Sequence, residues 1–245
     1  MQAVIMAGGY GRRLRPSTDI LPKPLTPIGE MPVIEIVLRR IAAQGVTRAI
    51  VCTGTKARMI EAYLGSVPDL GLDLVYRQDS HPSGTAGALR DLGDLLADDF
   101  LVLNADVLTD ADVTRVMHLH RARQAALTVA IARRDFPIRY GVVDCDAADT
   151  VTGIREKPVA SVDVNLGIYA LSRREAEPML KATTGRLDMP DLIALLVEAK
   201  RPVVAARLDC RWFDIGEEAD LRIAREAFAA DGGPFMGKPG SPAAS

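Results

Sequence analysis

Ala3-Val4-Ile5-Met6-Ala7-Gly8-Gly9-Tyr10-Gly11-Arg12-Arg13-Leu14-Arg15-Pro16 opens with an apolar run and breaks it with a glycine-rich turn. The run Ala3 to Met6 has no polar alternation, which predicts a strand buried on both faces. A glycine-rich turn leaving such a strand brings several backbone N–H groups close to a phosphate, because glycine adopts positive φ and has no Cβ to block the approach. Arginines stand beside the turn, and Lys23 follows in Leu21-Pro22-Lys23-Pro24. The start of the chain is therefore expected to hold a polyphosphate.

Further apolar runs at Ala49–Thr53, Leu72–Tyr76 and Phe100–Asn104 alternate with helix-patterned segments around Val33–Gln44, Lys56–Leu64 and Gly84–Leu95. That alternation predicts an α/β fold, a Rossmann-like three-layer αβα arrangement with right-handed crossovers. Ligands of such sheets bind beyond the carboxyl ends of the strands, so the glycine turn and Asn104-Ala105-Asp106 are expected to face one crevice. In the second half, strands are predicted at Leu127–Arg133, Tyr140–Asp144, Val151–Arg155 and Val164–Leu171, with fewer helices between them. A mostly parallel but mixed sheet with a second lobe follows. Helices are predicted at Arg173–Lys181, Met189–Ala199 and Glu217–Ala229, while residues 231–245, rich in Gly, Pro and Ser, are expected to form a flexible tail after a single domain over residues 1–230.

Composition narrows the class. At 245 residues and 48% hydrophobic the chain can bury one substantial core. Its net charge of −2 offers no basic field for nucleic acid. The cysteines Cys52, Cys145 and Cys210 are widely spaced and form no CxxC pair, which argues against a disulfide framework or a zinc site. No apolar segment approaches the ~18–20 residues of a membrane span, and no signal-type pattern opens the chain. A reduced, cytoplasmic protein without nucleic-acid or membrane partners is expected, and a homo-oligomer is the general base-rate expectation.

The opening turn must be weighed against other glycine-rich loops. Gly9-Tyr10-Gly11-Arg12-Arg13-Leu14 meets the first two glycines of the dinucleotide pattern GxGxxG, but Leu14 stands at the third. The P-loop pattern GxxxxGK[ST] is absent. Paired arginines suit a triphosphate better than a pyrophosphate on a helix N-terminus; a plain tight turn with solvated arginines is the bland alternative. His118 and His120, two apart on an expected helix, point in different directions and do not suit one metal.

Ala-Gly-Gly-x-Gly-x-Arg-Leu-x-Pro-x-Thr at Ala7–Thr18, followed by Lys23-Pro24, resembles the signature of the sugar-1-phosphate nucleotidylyltransferases. Matches continue in order through Gly84-Thr85-Ala86-Gly87, Leu103-Asn104-Ala105-Asp106, Tyr140-Gly141-Val142-Val143, Glu156-Lys157-Pro158, Val164-Asn165-Leu166-Gly167-Ile168-Tyr169 and Trp212-Phe213-Asp214-Ile215-Gly216. Each motif alone is weak, and the ordered set is strong. Two positions depart from the pattern: Arg12 stands where the family usually has Thr, and Ala105 where it usually has Gly.

The resemblance implies the nucleotide-diphospho-sugar transferase fold and a reaction joining a nucleoside triphosphate to a sugar 1-phosphate with release of pyrophosphate. It implies Mg²⁺ held by Asp106 and Asp214, a departing pyrophosphate stabilised by Arg13, and Lys23 on the phosphoryl group under attack. The nucleotide would lie against Ala7, Gly8, Gly9, Gly11, Arg12, Gly84 and Thr85, with Gln78 and Asp79 as base contacts. Gly141, Glu156, Lys157 and Asn165 would face the sugar phosphate. The Gly84–Gly87 form is similar to that of guanylyl-transferring members, which points to GTP; dTTP, UTP, ATP and CTP remain alternatives. The resemblance also implies a catalytic domain without the left-handed β-helix that follows it in longer members. Either aspartate could instead be a helix cap or a surface ion pair. The remaining rivals are a non-catalytic sugar-nucleotide sensor and a nicotinamide-dependent oxidoreductase, for which Glu30 or Glu35 would be the nominal ribose acid.

Overall fold

A computed structural model of the chain describes residues 1–9, 20–54, 56–79 and 81–237. In chain order the strands are β1 (Gln2–Ala7), β2 (Pro27–Ile28), β3 (Met31–Pro32), β4 (Arg48–Thr53), β5 (Asp73–Gln78), β6 (Asp99–Asn104), β7 (Val107–Thr109), β8 (Leu127–Pro137), β9 (Val142–Cys145), β10 (Val151–Arg155), β11 (Val159–Ser172), β12 (Val203–Arg207) and β13 (Trp212–Asp214). The α-helices are α1 (Val33–Ala43), α2 (Ala57–Ser66), α3 (Val113–Ala122), α4 (Arg173–Ala182), α5 (Met189–Glu198) and α6 (Glu218–Ala230).

β1 is buried along its whole length because it runs between two parallel neighbours, β4 and β6. The alternation of side chains along a strand then separates two cores. Ala3, Ile5 and Ala7 join Ala49 and Val51 of β4 and Leu101 and Leu103 of β6 under α1, α2, α3 and α6. Val4 and Met6 join Ile50, Cys52, Phe100 and Val102 on the other face, under α4 and α5. The sheet order is β12-β8-β11-β6-β1-β4-β5, and β11 runs antiparallel to both of its neighbours. This is the mixed αβα sheet that the apolar periodicity predicts.

Beyond the main sheet, β8 and β11 continue as a long antiparallel pair, and β9 and β10 form a separate two-stranded ribbon. Val143 faces Ile154 across that ribbon, and both are exposed. These segments make the second lobe.

Three local expectations are corrected. Gly84–Leu95 is not an α-helix: 3-10 geometry begins at Gly87, and Gly93, at φ +43°, kinks it. The ribbon strand begins at Val142 rather than Tyr140. Residues 231–237 do not fray, because Phe235 is fully buried against Phe213 and Phe228, with Arg211 over its ring at 4.4 Å. Buried Arg40 on α1 donates to the Ala111 and Pro234 carbonyls and pins the segment from inside. The rest of the expected tail lies outside the described residues.

His120 on α3 is buried, with Nδ1 3.1 Å from the Thr128 hydroxyl and Nε2 3.7 Å from Asp99. Burial lowers its pKa below the usual histidine value, Asp99 opposes the shift and Arg121 adds to it. Between the lowered folded value and an unfolded value of about 6.5, only the unfolded chain holds the proton, so stability rises with pH across that window. Unfolding free energy is therefore expected to fall as pH drops below about 6.5. The fall should be smaller in His120→Gln, measured by urea unfolding between pH 5 and pH 7; equal slopes in the two proteins would exclude the histidine as the cause.

Candidate nucleotide-binding site

The carboxyl ends of β1, β4, β5 and β6 open into a cleft of about 250 Å³, lined among others by Gly8, Gly9, Thr53, Asp79, Asn104 and Asp106. Parallel strands place all four ends on one edge, and the Ala105 N–H donates to the Met6 carbonyl at 3.1 Å to hold the loop after β6 beside the loop after β1. The glycine turn and the Asn104-Ala105-Asp106 segment thus share one crevice. Gly11, Arg12 and Arg13 lie outside the described residues.

Lys23 opens a short 3-10 turn (Lys23–Leu25) between Pro22 and Pro24, whose fixed φ values steer the chain back over the cleft. Its ammonium makes an ion pair with Asp106 and lies 4.0 Å from Asp214. The two aspartates are distant in sequence but adjacent in space because β13 pairs antiparallel with β7, setting Asp214 opposite Val107. The Ile215 N–H closes the arrangement on the Asp106 carbonyl at 3.1 Å. Trp212 holds this strand, donating its indole N–H to the Leu166 carbonyl at 2.9 Å. Asp106 is therefore neither a helix cap nor a solvated surface acid.

Two carboxylates converging on one ammonium offer hard oxygen donors of the kind magnesium takes. No group of three or more metal-ligating side chains occurs among the described residues. Magnesium commonly binds through one or two carboxylates and completes its shell with substrate phosphates and water. Asp106 and Asp214 fit that requirement.

Gly84, which also lines the cleft, has φ +87°, and a Cβ there would lie 2.3 Å from the Leu187 carbonyl oxygen. The turn is clamped to residues 187–188: Leu187 donates its N–H to Ser83, and its carbonyl accepts from Ala86 and Gly87. Asp188 accepts the Thr85 N–H at 3.0 Å and both Nε and Nη2 of Arg186 at 3.0 and 2.9 Å. Burial alone would raise the Asp188 pKa, but these hydrogen bonds hold it below the usual carboxylate range. The Thr85 side chain and N–H are thus engaged within the turn. Asp79 accepts the Ser83 hydroxyl at 2.6 Å from the opposite shoulder.

The second lobe gathers a further group. A Cβ on Gly141 would lie 3.1 Å from a Glu156 carboxylate oxygen, and Lys157 Nζ is 3.8 Å from Glu156. Both charged side chains are exposed, and Lys157 has φ +43°, a strained value for a residue with a Cβ. These three residues do not line the cleft described above. Asn165 is exposed and donates to the Tyr169 hydroxyl at 2.7 Å while accepting the Gly167 N–H at 2.9 Å. Ala7 is buried at the end of β1, and Gln78 is exposed, donating to the Gly54 carbonyl at 3.3 Å.

Sequence reasoning passed over Arg186 and Asp188. Asp188 begins α5 with a reciprocal capping box to Asp191, so its local pattern announces a helix start and nothing else. Conversely, Glu35 is excluded as a ribose acid, because it is buried on α1 between Arg39 and the Tyr63 hydroxyl.

A crevice at the carboxyl edge of a largely parallel sheet, lined by a paired cation and carboxylate and by a glycine turn, defines a nucleotide-binding α/β protein. The nucleotidyl transferase family model matches residues 2–230, and the chain belongs to that family. It is 31% identical over 224 residues to mannose-1-phosphate guanylyltransferase of Mycobacterium tuberculosis, covering 90% of this chain and 62% of that relative. It is also 31% identical over 240 residues to UTP–glucose-1-phosphate uridylyltransferase of Synechocystis sp., covering 90% and 61%. The chain thus spans less than two thirds of the length of these curated relatives. Among solved structures, HddC from Yersinia pseudotuberculosis superposes with a TM-score of 0.71 at 25% identity, over 93% of this chain and 99% of that one. The fold is that of the nucleotide-diphospho-sugar transferases.

Gly84→Ala is expected to destabilise the protein by roughly 1–3 kcal/mol, since the new Cβ meets backbone that cannot yield cheaply and the φ is unfavourable. Urea unfolding reads this directly; an unchanged midpoint would mean that the turn is not held as described.

Proposed function

We propose that this chain transfers a nucleotidyl group from a nucleoside triphosphate, GTP foremost, to a sugar 1-phosphate and releases pyrophosphate. The observation that carries this reading is the convergence of Asp106 and Asp214 on Lys23, which with Asp106 lines the same cleft as the clamped Gly84 turn. The sugar phosphate is largely ionised at neutral pH, its second pKa being about 6, so its oxygen attacks the α-phosphorus without a general base. The bond from the α-phosphorus to the bridging oxygen breaks, and the electron pair leaves with pyrophosphate.

What remains for the protein is alignment and the cancellation of charge between two anions. Lys23 would meet the α-phosphate, and the turn at Gly8 and Gly9 would offer backbone N–H groups. Arg13 is assigned by motif alone to the departing pyrophosphate, and Gly11 and Arg12 to the nucleotide. Magnesium, held by Asp106 and Asp214, would supply charge neutralisation at the phosphate oxygens. Gly141, Glu156 and Lys157 are assigned to the sugar phosphate, and the left-handed backbone at Lys157 favours a functional role there, since strain of this kind is concentrated at binding sites. Asn165 would meet the sugar through its remaining amide N–H, the other being donated to Tyr169.

The relative from Mycobacterium tuberculosis, a mannose-1-phosphate guanylyltransferase, supports GTP. A second reading keeps the reaction but takes UTP, since the Synechocystis relative of equal identity is a uridylyltransferase.

Pyrophosphate release, measured with Mg²⁺ over a matrix of triphosphates and sugar 1-phosphates, tests the proposal. Asp106→Ala and Asp214→Ala are each expected to lower turnover by about a hundredfold or more, with the circular dichroism spectrum unchanged. Undiminished turnover in a folded Asp106→Ala protein would refute its assignment.

A further inference from the structure

The Gly84 turn carries a carboxylate on one shoulder and a guanidinium on the other. Ser83 binds Asp79 Oδ2 at 2.6 Å, and Thr85 binds Asp188, which in turn grips Arg186. Asp79 and Arg186 both line the cleft, above an apolar floor of Met6, Cys52 and Ala88. The floor is chemically quiet: burial first, and then Asp79, push the Cys52 thiol up to about 12.

Asp79 is half-buried and Arg186, although largely exposed, is tied to Asp188; both keep hydrogen-bonding capacity. Ser83 is buried and engages one Asp79 oxygen, and among the described residues Oδ1 has no hydrogen-bond partner. Asp188 engages Nε and Nη2 of Arg186, leaving the Nη1 side of the fork open. Such a carboxylate only accepts, and a guanidinium only donates. A base matched to this pair must show two adjacent donors on one edge and acceptors beside them.

We infer that Asp79 and Arg186 read guanine, the carboxylate accepting N1–H and the N2 amine while the guanidinium donates to O6 and N7. Guanine alone of the common bases has that edge. Adenine turns its N1 lone pair toward the second carboxylate oxygen, and uracil and thymine flank their single N3–H with two carbonyls. Cytosine pairs one amine with an acceptor nitrogen. Arg186 fits the guanine Hoogsteen edge as arginine does in nucleic-acid recognition, through paired N–H donors. Asp188 is the positioning residue: it fixes the guanidinium and the Thr85 N–H at once.

This assignment rests on the proposed nucleotidyl transfer only in taking the cleft to be a nucleotide site. It is tested by binding rather than turnover, using calorimetric titration of the full chain with GTP, ITP, which lacks only the N2 amine, and 7-deaza-GTP, which lacks only N7. The wild-type protein is expected to bind GTP about tenfold or more tightly than ITP, the loss of one hydrogen bond to a charged group. In Asp79→Ala that ratio should fall to about one, whereas Arg186→Leu should keep it and lose the preference for GTP over 7-deaza-GTP. A ratio of two ligands on one protein does not depend on the fraction folded, and the near-isosteric Asp79→Asn provides a second variant in which the ratio must drop.

An unchanged GTP-to-ITP ratio in Asp79→Ala or Asp79→Asn would overturn the assignment. So would turnover with UTP preferred to GTP, which would leave the proposed reaction standing. Guanine-selective binding lost as described, without pyrophosphate release for any sugar phosphate, would uphold the base reader and remove the reaction.

Discussion

The cleft is organised around one ammonium. Lys23 is largely buried, and a cation removed from water needs compensating negative charge close by. Asp106 supplies it directly and Asp214 from 4.0 Å, so three segments that are far apart in the sequence meet at a single point. The β7–β13 ribbon enforces this meeting, because its register sets the second aspartate beside the first. In the proposed reaction an arriving phosphate would compete for the ammonium, and a divalent cation would then take over the neutralisation of Asp106 that Lys23 now provides.

The fold supports this arrangement with strain at a few positions and dense packing elsewhere. Gly84 and Gly167 take positive φ where a side chain would collide, with the Leu187 carbonyl in one case and the Asn104 amide in the other. Lys157 takes positive φ without the relief that glycine has. Such positions cost about 1–3 kcal/mol each where a Cβ is present and persist only when the surroundings over-determine them. Here the surroundings are two cores on opposite faces of one sheet, and in both of them the central strands β1, β4 and β6 bury their side chains.

Several features were legible in the residues. Unbroken apolar runs at β1, β4 and β6 announce doubly covered strands, and their spacing with helical segments announces parallel crossovers. The position of a ligand crevice follows, since parallel strands send all their carboxyl ends to one edge. Gly84–Leu95 misled because its apolar spacing is helical while Gly93 permits a kink that periodicity does not register. The C-terminal segment misled because its glycines and prolines signal disorder locally, whereas Phe235 finds a socket between Phe213 and Phe228 that only the folded chain provides.

By itself, the order of residues determined the central strands β1, β4, β5 and β6 and the edge on which their carboxyl ends meet, whereas the sheet's edge strand β12 and the short β7 and β13 carry too weak a local pattern to be read from it. The former are properties of local periodicity. The tertiary structure alone decided that Asp214 stands beside Asp106, that Asn165 is occupied with Tyr169, and that Arg186 and Asp188 join Asp79 around the Gly84 turn. Strand register and the clamping of one loop by another are long-range contacts, and no short-range pattern encodes which partner a carboxylate will meet.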